Sequence, residues 1–323
     1  MFKSFFFNKK WVYWSWLGLI AIIISLLGQV LITVKINQWY KGFYDLLQNP
    51  TNKNISEFWS NIKMFLYLAM PYVVIITITN YFSRIYTLRW REAITFAYMP
   101  LWKNTPENIE GAAQRIQEDT MKFANIVEEL GMQVVRAIMT LFAFIPILWS
   151  LSEGIHVDFL KKIPGSLVWL SLLVSIGGLI ISWFVGSKLP GLSYNNQKVE
   201  AKFRKELVYA EDDRQKYAHQ DTIFELFSGI KFNYHRLFLH YGYFDLWLNL
   251  YNQFMVIVPY IFTGPSLFAN TITLGVVIQV SNAFQRVHHS FSLFIERWTQ
   301  ITELRSIHLR LTEFEIAIGY KKN

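Results

Sequence analysis

The chain contains no cysteine. Disulfides and thiolate metal sites are therefore excluded. Charge is scarce as well: 17% of the residues are Asp, Glu, Lys or Arg, against about 25% in a typical soluble domain. The phosphate-binding loop G-x-x-x-x-G-K-[ST] does not occur in the 323 residues, so no nucleotide is expected to bind this chain. H-E-x-x-H, G-x-S-x-G and G-x-G-x-x-G are also missing, and His288 and His289, as helix neighbours, point in different directions. No catalytic residue, metal or cofactor is expected.

What fills the chain is apolar. Hydrophobic residues make up 53%, with 27 Phe, 17 Tyr and 12 Trp, a composition suited to two membrane–water interfaces. The net charge of +8 does not imply nucleic acid, because the basic residues are dispersed between apolar runs. Trp11 to Val34 carries no charge over 24 residues. That exceeds the roughly 7–15 residues of a signal-peptide core and is long enough to span a bilayer.

Six spans are predicted, at about 12–34, 64–82, 130–151, 163–186, 243–262 and 272–294. The last two come from one stretch, Leu246 to Gln285, with 40 residues free of Asp, Glu, Lys and Arg. A single helix of that length would reach about 60 Å, twice the hydrocarbon core. Thr263-Gly264-Pro265-Ser266 supplies a turn signal inside it. The N-terminus, the loops after spans 2 and 4 and the tail hold 24 of the 31 Lys and Arg. Both termini and both large loops, 83–129 and 188–240, are thus expected in the cytoplasm. Lys198 to Tyr217 is highly charged with one apolar stripe, which predicts a helix. Spans 4 and 5 are expected to run on as long helices. The fold class is all-α, polytopic, with cytoplasmic helical extensions, in one transmembrane domain covering 1–323.

Several segments resemble a known family. Glu110 to Thr120 is similar to the cytoplasmic coupling segment of ABC-exporter membrane domains. Taken with WYKGFYDLLQ (Trp39 to Gln48), IEGAAQRIQEDTMKFA (Ile109 to Ala124), KLPGL (Lys188 to Leu192), KVEAKFRKELVYAEDD (Lys198 to Asp213), ITLGVVIQVSNAF (Ile272 to Phe284) and WTQITEL (Trp298 to Leu304), it makes the chain resemble the SbmA/BacA-like peptide transporters of Gram-negative inner membranes. The resemblance implies a homodimer with a type 1 ABC-exporter-like transmembrane fold but no nucleotide-binding domain. It also implies import of peptides and peptide-like antibiotics, driven by the proton gradient. Family members are longer and carry extra hydrophobic segments near the N-terminus, whereas this chain passes from MFKSFF almost directly into span 1.

Proton coupling needs a group that changes protonation, and spans 1, 2 and 4 hold no acid. The candidates lie at the membrane edge and in the loops: Glu110, Glu118, Asp119, Glu128, Glu200, Glu206, Glu211, Asp212, Asp213 and Glu303. Glu118, Glu128, Glu206 and Glu211 lead. For any one of them the plainer reading is an ion pair, since Arg115, Lys202, Arg204 and Lys205 sit among them and Glu200–Arg204 has i,i+4 spacing. Polar residues within spans are expected to point away from lipid. Asp245, Asn249 and Asn252, with Gln253 beside them, form one face of span 5. Gln279, Asn282, Arg286 and His289 form one of span 6. These are candidates for lining a water-filled cavity, with interhelical hydrogen bonds as the alternative. Ser171, Ser175, Gly178, Ser182 and Gly186 form a stripe of small residues on span 4, suited to close helix packing. Two other functions compete with proton-driven import. One is the membrane subunit of an ABC transporter whose ATPase is a separate chain. The other is a structural membrane protein or receptor, which the polar faces of spans 5 and 6 disfavour.

Overall fold

The computed structural model describes residues 1–48, 54–106, 109, 111–155 and 163–320, with Phe294 and Ile295 described by backbone alone. The regular secondary structure among the described residues is all helical, without strands. In chain order the helices are α1 (Phe2–Phe6), α2 (Val12–Gln48), α3 (Ile55–Lys103), α4 (Ala112–Gln114), a π-turn (Arg115–Asp119), α5 (Thr120–Ser152), α6 (Ser166–Gly186), α7 (Leu189–Asp212), α8 (Arg214–Tyr217), α9 (Gln220–Phe268), α10 (Leu274–Glu296) and α11 (Trp298–Ala317).

Four of these stretches are long and apolar enough to cross a membrane: Val12–Gln48, Ile55–Lys103, Ala112–Ser152 and Ser166–Asp212. The protein is an all-helical, polytopic membrane protein. α9 and α10, which hold the fifth and sixth expected spans, are less apolar because Asn249, Asn252, Gln253, Gln279 and Asn282 interrupt them. The 49-residue α3 would reach about 73 Å at 1.5 Å per residue, well beyond a ~30 Å hydrocarbon core. Much of the expected first loop is thus a continuation of span 2. Leu17, Ile20, Ile24, Leu27 and Leu31 of α2 and Tyr67, Val74 and Ile78 of α3 are exposed, as lipid-facing residues must be.

The expected turn at Thr263–Ser266 is displaced. α9 continues to Phe268 and passes through both Pro259 and Pro265. The Thr263 hydroxyl donates to the Pro259 carbonyl (2.7 Å), a back-bond of the kind that supports a helix near proline. The helix ends where Asn270 adopts φ 56°. There the Asn270 N–H bonds Leu267 O (2.9 Å) and the Thr271 N–H bonds Ser266 O (3.0 Å), which is a Schellman cap. Asparagine tolerates that left-handed conformation, and the Gly-Pro signal was overridden by helix packing.

The chain forms two compact units, residues 1–172 with 259–323, and residues 173–258. In the first unit α2, α3, α5 and α10 pack together, with α11 against α5 and α1 against α2 and α3. It has two apolar cores. One joins Phe5, Tyr86, Trp90, Ile94, Phe123, Ile307 and Leu311. The other joins Phe144, Leu148, Leu167, Val168, Val280, Ala283 and Val287. The start of α10 is capped from α2: Asp45 Oδ1 accepts from Gly275 N (3.0 Å) and Gln48 Oε1 from Leu274 N (2.9 Å). A side chain at Gly275 would strike the Lys41 carbonyl. Two of the family-like words, WYKGFYDLLQ and ITLGVVIQVSNAF, therefore meet.

In the second unit the small residues of α6 receive aromatic rings of α9. Trp247 Nε1 donates to Ser182 Oγ (2.8 Å), the Tyr251 hydroxyl to Val174 O (3.1 Å), and the rings of Trp247 and Tyr251 stack at 5.7 Å. Tyr251 covers Gly178, and Phe244 lies 2.9 Å from the position of a Cβ at Gly186. Between α7 and α8 the Asp213 carboxylate caps the second helix, accepting from Lys216 N (3.1 Å).

Candidate functional site

Three acids of the first loop, Glu118, Asp119 and Glu129, lie along the side of the π-turn and α5 that faces α11. Asp119 is 1% exposed. Its two oxygens accept from Arg310 (Nη2 to Oδ1 2.7 Å, Nε to Oδ2 3.0 Å), and Arg115 Nη1 adds a bond to Oδ2 (3.1 Å). A π-turn adds a residue to the helical turn, a device common at functional positions; here it leaves Ile116 and Asp119 buried. Three charge-assisted hydrogen bonds replace the water that burial removes from this carboxylate. One turn further, Lys122 Nζ pairs with Glu118 (2.8 Å) and Glu303 (3.7 Å). Beyond it Glu129 accepts from Arg297 (3.2 Å) and from Gln300 Nε2 (3.3 Å). Asp119 of the π-turn and Lys122 and Glu129 of α5 thus meet Arg310 and Glu303 of α11 and Arg297 at its N-cap. The hydrogen bond from Lys122, with its charge, holds the exposed Glu118 carboxyl below its ordinary value.

Glu128 stands apart. It lies just before the apolar stretch 130–151 and is half-buried. It accepts a hydrogen bond from the Ser83 hydroxyl of α3, and among the described residues no cation lies within ion-pair distance of it. Burial raises its carboxyl above the ordinary value; the Ser83 bond opposes this and the neighbouring Glu129 charge adds to it. Desolvation without a paired cation favours the protonated form. Tyr86, one turn along α3, donates to Ser15 O of α2 (3.0 Å).

The remaining candidates are placed elsewhere. Glu200 and Glu206 are partly buried on α7, and Glu211, Asp212 and Asp213 are exposed near its end; all belong to the second unit. Glu110 lies outside the described residues. On α9, Asp245, Asn249, Asn252 and Gln253 are exposed, on the side away from Trp247 and Tyr251. On α10, Gln279 is buried, Asn282 is partly buried, and Arg286 and His289 are exposed. The polar face of α9 is thus presented on the surface of the chain rather than packed within it.

Sequence reasoning passed over a second set of polar residues. Ser25 and Gln29 of α2 meet Thr79 of α3: Ser25 Oγ and Thr79 Oγ1 share a hydrogen bond, and Gln29 Nε2 donates to Thr79 Oγ1 (3.1 Å). The signal available was the i, i+4, i+8 spacing of Thr79, Ser83 and Thr87, all buried, hidden because hydroxyls are common in any span.

The sequence model of the SbmA/BacA-like family matches residues 8–319. The inner membrane ABC transporter ATP-binding protein YddA of Escherichia coli is 27% identical over 321 residues, covering 93% of this chain and 57% of YddA. The ABC transporter ATP-binding protein sll0182 of Synechocystis is 24% identical, covering 98% of this chain and 48% of its own length. The chloroplastic ABC transporter D family member 2 of Arabidopsis thaliana is 24% identical, covering 93% of this chain and 42% of its own. The chain spans about half the length of the curated relatives it matches.

Proposed function

As the chain belongs to the SbmA/BacA-like family, a group of membrane proteins related to ABC transporters, we propose that it imports peptides across a bacterial inner membrane using the proton gradient. The observation that carries this reading is Glu128. It is a half-buried carboxyl at the edge of an apolar span, hydrogen-bonded to Ser83 and with no cation paired to it among the described residues. A group so placed exchanges a proton at little cost, whereas Asp119 and Glu118 are tied to cations. The energy is sufficient: one charge moved through the membrane gains about 2.3 kcal/mol per 100 mV.

Six spans complete the transporter half, with α9 and α10 as the fifth and sixth. Both termini and the long helical loops face the cytoplasm, as the basic asymmetry requires. Two copies pair as a type 1 exporter-like body. The exposed Asp245, Asn249, Asn252 and Gln253 then face a shared watery cavity rather than lipid, where each unsatisfied group would cost several kcal/mol.

A second reading has its own support. Two of the relatives named above, YddA and sll0182, carry ATP-binding in their names, and this chain covers about half of each. On that reading the same body is driven by an ATPase beyond these 323 residues. One experiment separates the two. The purified chain is reconstituted into liposomes, and uptake of a fluorescent peptide mixture is followed without ATP. Uptake that appears with an imposed inward proton gradient and stops when an ionophore collapses it supports proton coupling. No uptake under the gradient transfers the case to the ATP-driven reading.

A further inference from the structure

The hydrogen bond that Ser83 gives Glu128 is the last link of a buried polar seam between α2 and α3. Ser83 and Thr79 lie one turn apart on the same face of α3 and are 4% and 3% exposed. Thr79 holds Ser25 and Gln29 of α2. Gln29 is 2% exposed, and its Oε1 has no hydrogen-bond partner among the described residues. Two turns on, toward the Gln48 end of α2, Asn37 is 3% exposed, and neither its side-chain nitrogen nor its side-chain oxygen has a hydrogen-bond partner among the described residues. An orphaned buried amide is costly in a dry core, because it loses its water and gains no partner. Two in succession on the buried face of one helix, continuous with a hydroxyl ladder that ends at a carboxyl without a paired cation among the described residues, indicate a wetted path rather than a packing fault.

We propose that Asn37, Gln29, Ser25, Thr79 and Ser83 form a water-bearing path that carries protons to Glu128 from the far end of α2. This rests on the function proposed above, in which that end faces the periplasm. The chemistry is a relay. A hydroxyl accepts a proton on its lone pair and releases its own to the next acceptor. The amide oxygens of Gln29 and Asn37 do not titrate; they hold bridging water in line. The rise of about 6 Å from Ser83 to Thr79 along α3 is the span of one bridging water. Each hydroxyl ends unchanged, and the net event is one proton moved from outside water to the Glu128 carboxylate.

The test uses the full chain in oriented liposomes and the infrared carboxyl band that Glu128→Gln abolishes. Acidifying the periplasm-facing side alone should raise that band in the parent protein. Thr79→Val, which keeps shape but removes the hydroxyl, and Gln29→Leu should slow this response at least tenfold. Both should leave unchanged the response to acid on the cytoplasm-facing side. Thr79→Ser should restore it. A merely structural role for Thr79 would not produce a loss confined to one side. An unchanged periplasm-side response in both Thr79→Val and Gln29→Leu overturns the path, as does a parent protein whose Glu128 responds only from the cytoplasmic side. The readout needs no transported peptide. A path that works while gradient-driven uptake fails refutes the proposed function alone.

Discussion

Arg310 grips Asp119 with two hydrogen bonds, 2.7 and 3.0 Å, across 191 residues of sequence. The bidentate geometry matches a planar guanidinium to a carboxylate. It fixes the tail helix α11 on the π-turn that precedes α5. Two further contacts, at Lys122 and Glu129 of α5, continue the seam along the tail helix.

Removing one partner of a buried pair leaves an uncompensated charge. Arg310→Met should therefore cost about 3 kcal/mol, part of the full penalty being offset by Arg115. Glu303→Gln, on an exposed pair, should cost about 0–1 kcal/mol. Thermal unfolding in detergent, followed by Trp fluorescence, measures both. Equal and small shifts would mean that α11 is held by its apolar contacts Ile307, Leu311 and Phe314 alone.

The small-residue stripe of α6 makes a sharper demand. Tyr251 occupies the space a Cβ would take at Gly178. Gly178→Ala should destabilise by about 1–3 kcal/mol through overpacking. Tyr251→Phe should not relieve it, since the ring stays, whereas Tyr251→Leu should recover part of the loss in the double variant. A double variant no better than the sum of the singles would show that the ring does not set the spacing.

How far the sequence reached can be judged on these same elements. The apolar runs announced spans 1 to 4, and the Ser/Gly stripe announced a close helix contact, because both depend on local composition. The end of α9 was misplaced by Gly264-Pro265, since a packed helix absorbs proline while Asn270, an ordinary-looking residue, took the left-handed cap. In the sequence Glu118 and Glu128 rank together as leading acids, with Asp119 behind them. Only tertiary contacts separate them, as partners at 297–310 and at Ser83 are far away in sequence. Gln29 and Asn37 gave no signal at all, because a lone amide in a long apolar helix fits packing, dimer contact and water equally well.

The α2–α10 junction is testable through its cap. Asp45→Ala should cost about 1 kcal/mol, the usual value of a lost N-cap acceptor. Gly275→Ala should cost more, because the Lys41 carbonyl blocking it is backbone and cannot swing away. Hydrogen exchange at the first turn of α10 should rise in Asp45→Ala. Unchanged protection there would show that the Gln48 bond suffices.

Sidedness follows from the proposed topology and needs only one engineered thiol, the chain being free of cysteine. A cysteine at Lys202 of α7, exposed in the structure, should react with a membrane-impermeant maleimide only after cells are opened. Labelling in intact cells would place α7 outside and invert the model of transport.

Glu128 links stability to pH with a definite sign. Its folded-state carboxyl is raised by burial, so its contribution to stability is present at low pH and is lost as pH rises through the raised value. Glu118 is lowered by Lys122 and acts oppositely, its contribution fading as pH falls below the ordinary carboxylate range. Glu128→Gln should therefore remove a decline in unfolding temperature on the alkaline side of the ordinary carboxylate value, while Glu118→Gln should leave that side unchanged. The same pair divides function. Glu128→Gln keeps size and the Ser83 contact but cannot titrate, so gradient-driven peptide uptake should fall at least tenfold while peptide binding persists. Glu118→Gln should transport at close to the parent rate. Normal uptake by Glu128→Gln would remove this carboxyl from the coupling mechanism, and would leave the partly buried Glu200 and Glu206 of α7 as the acids to examine next.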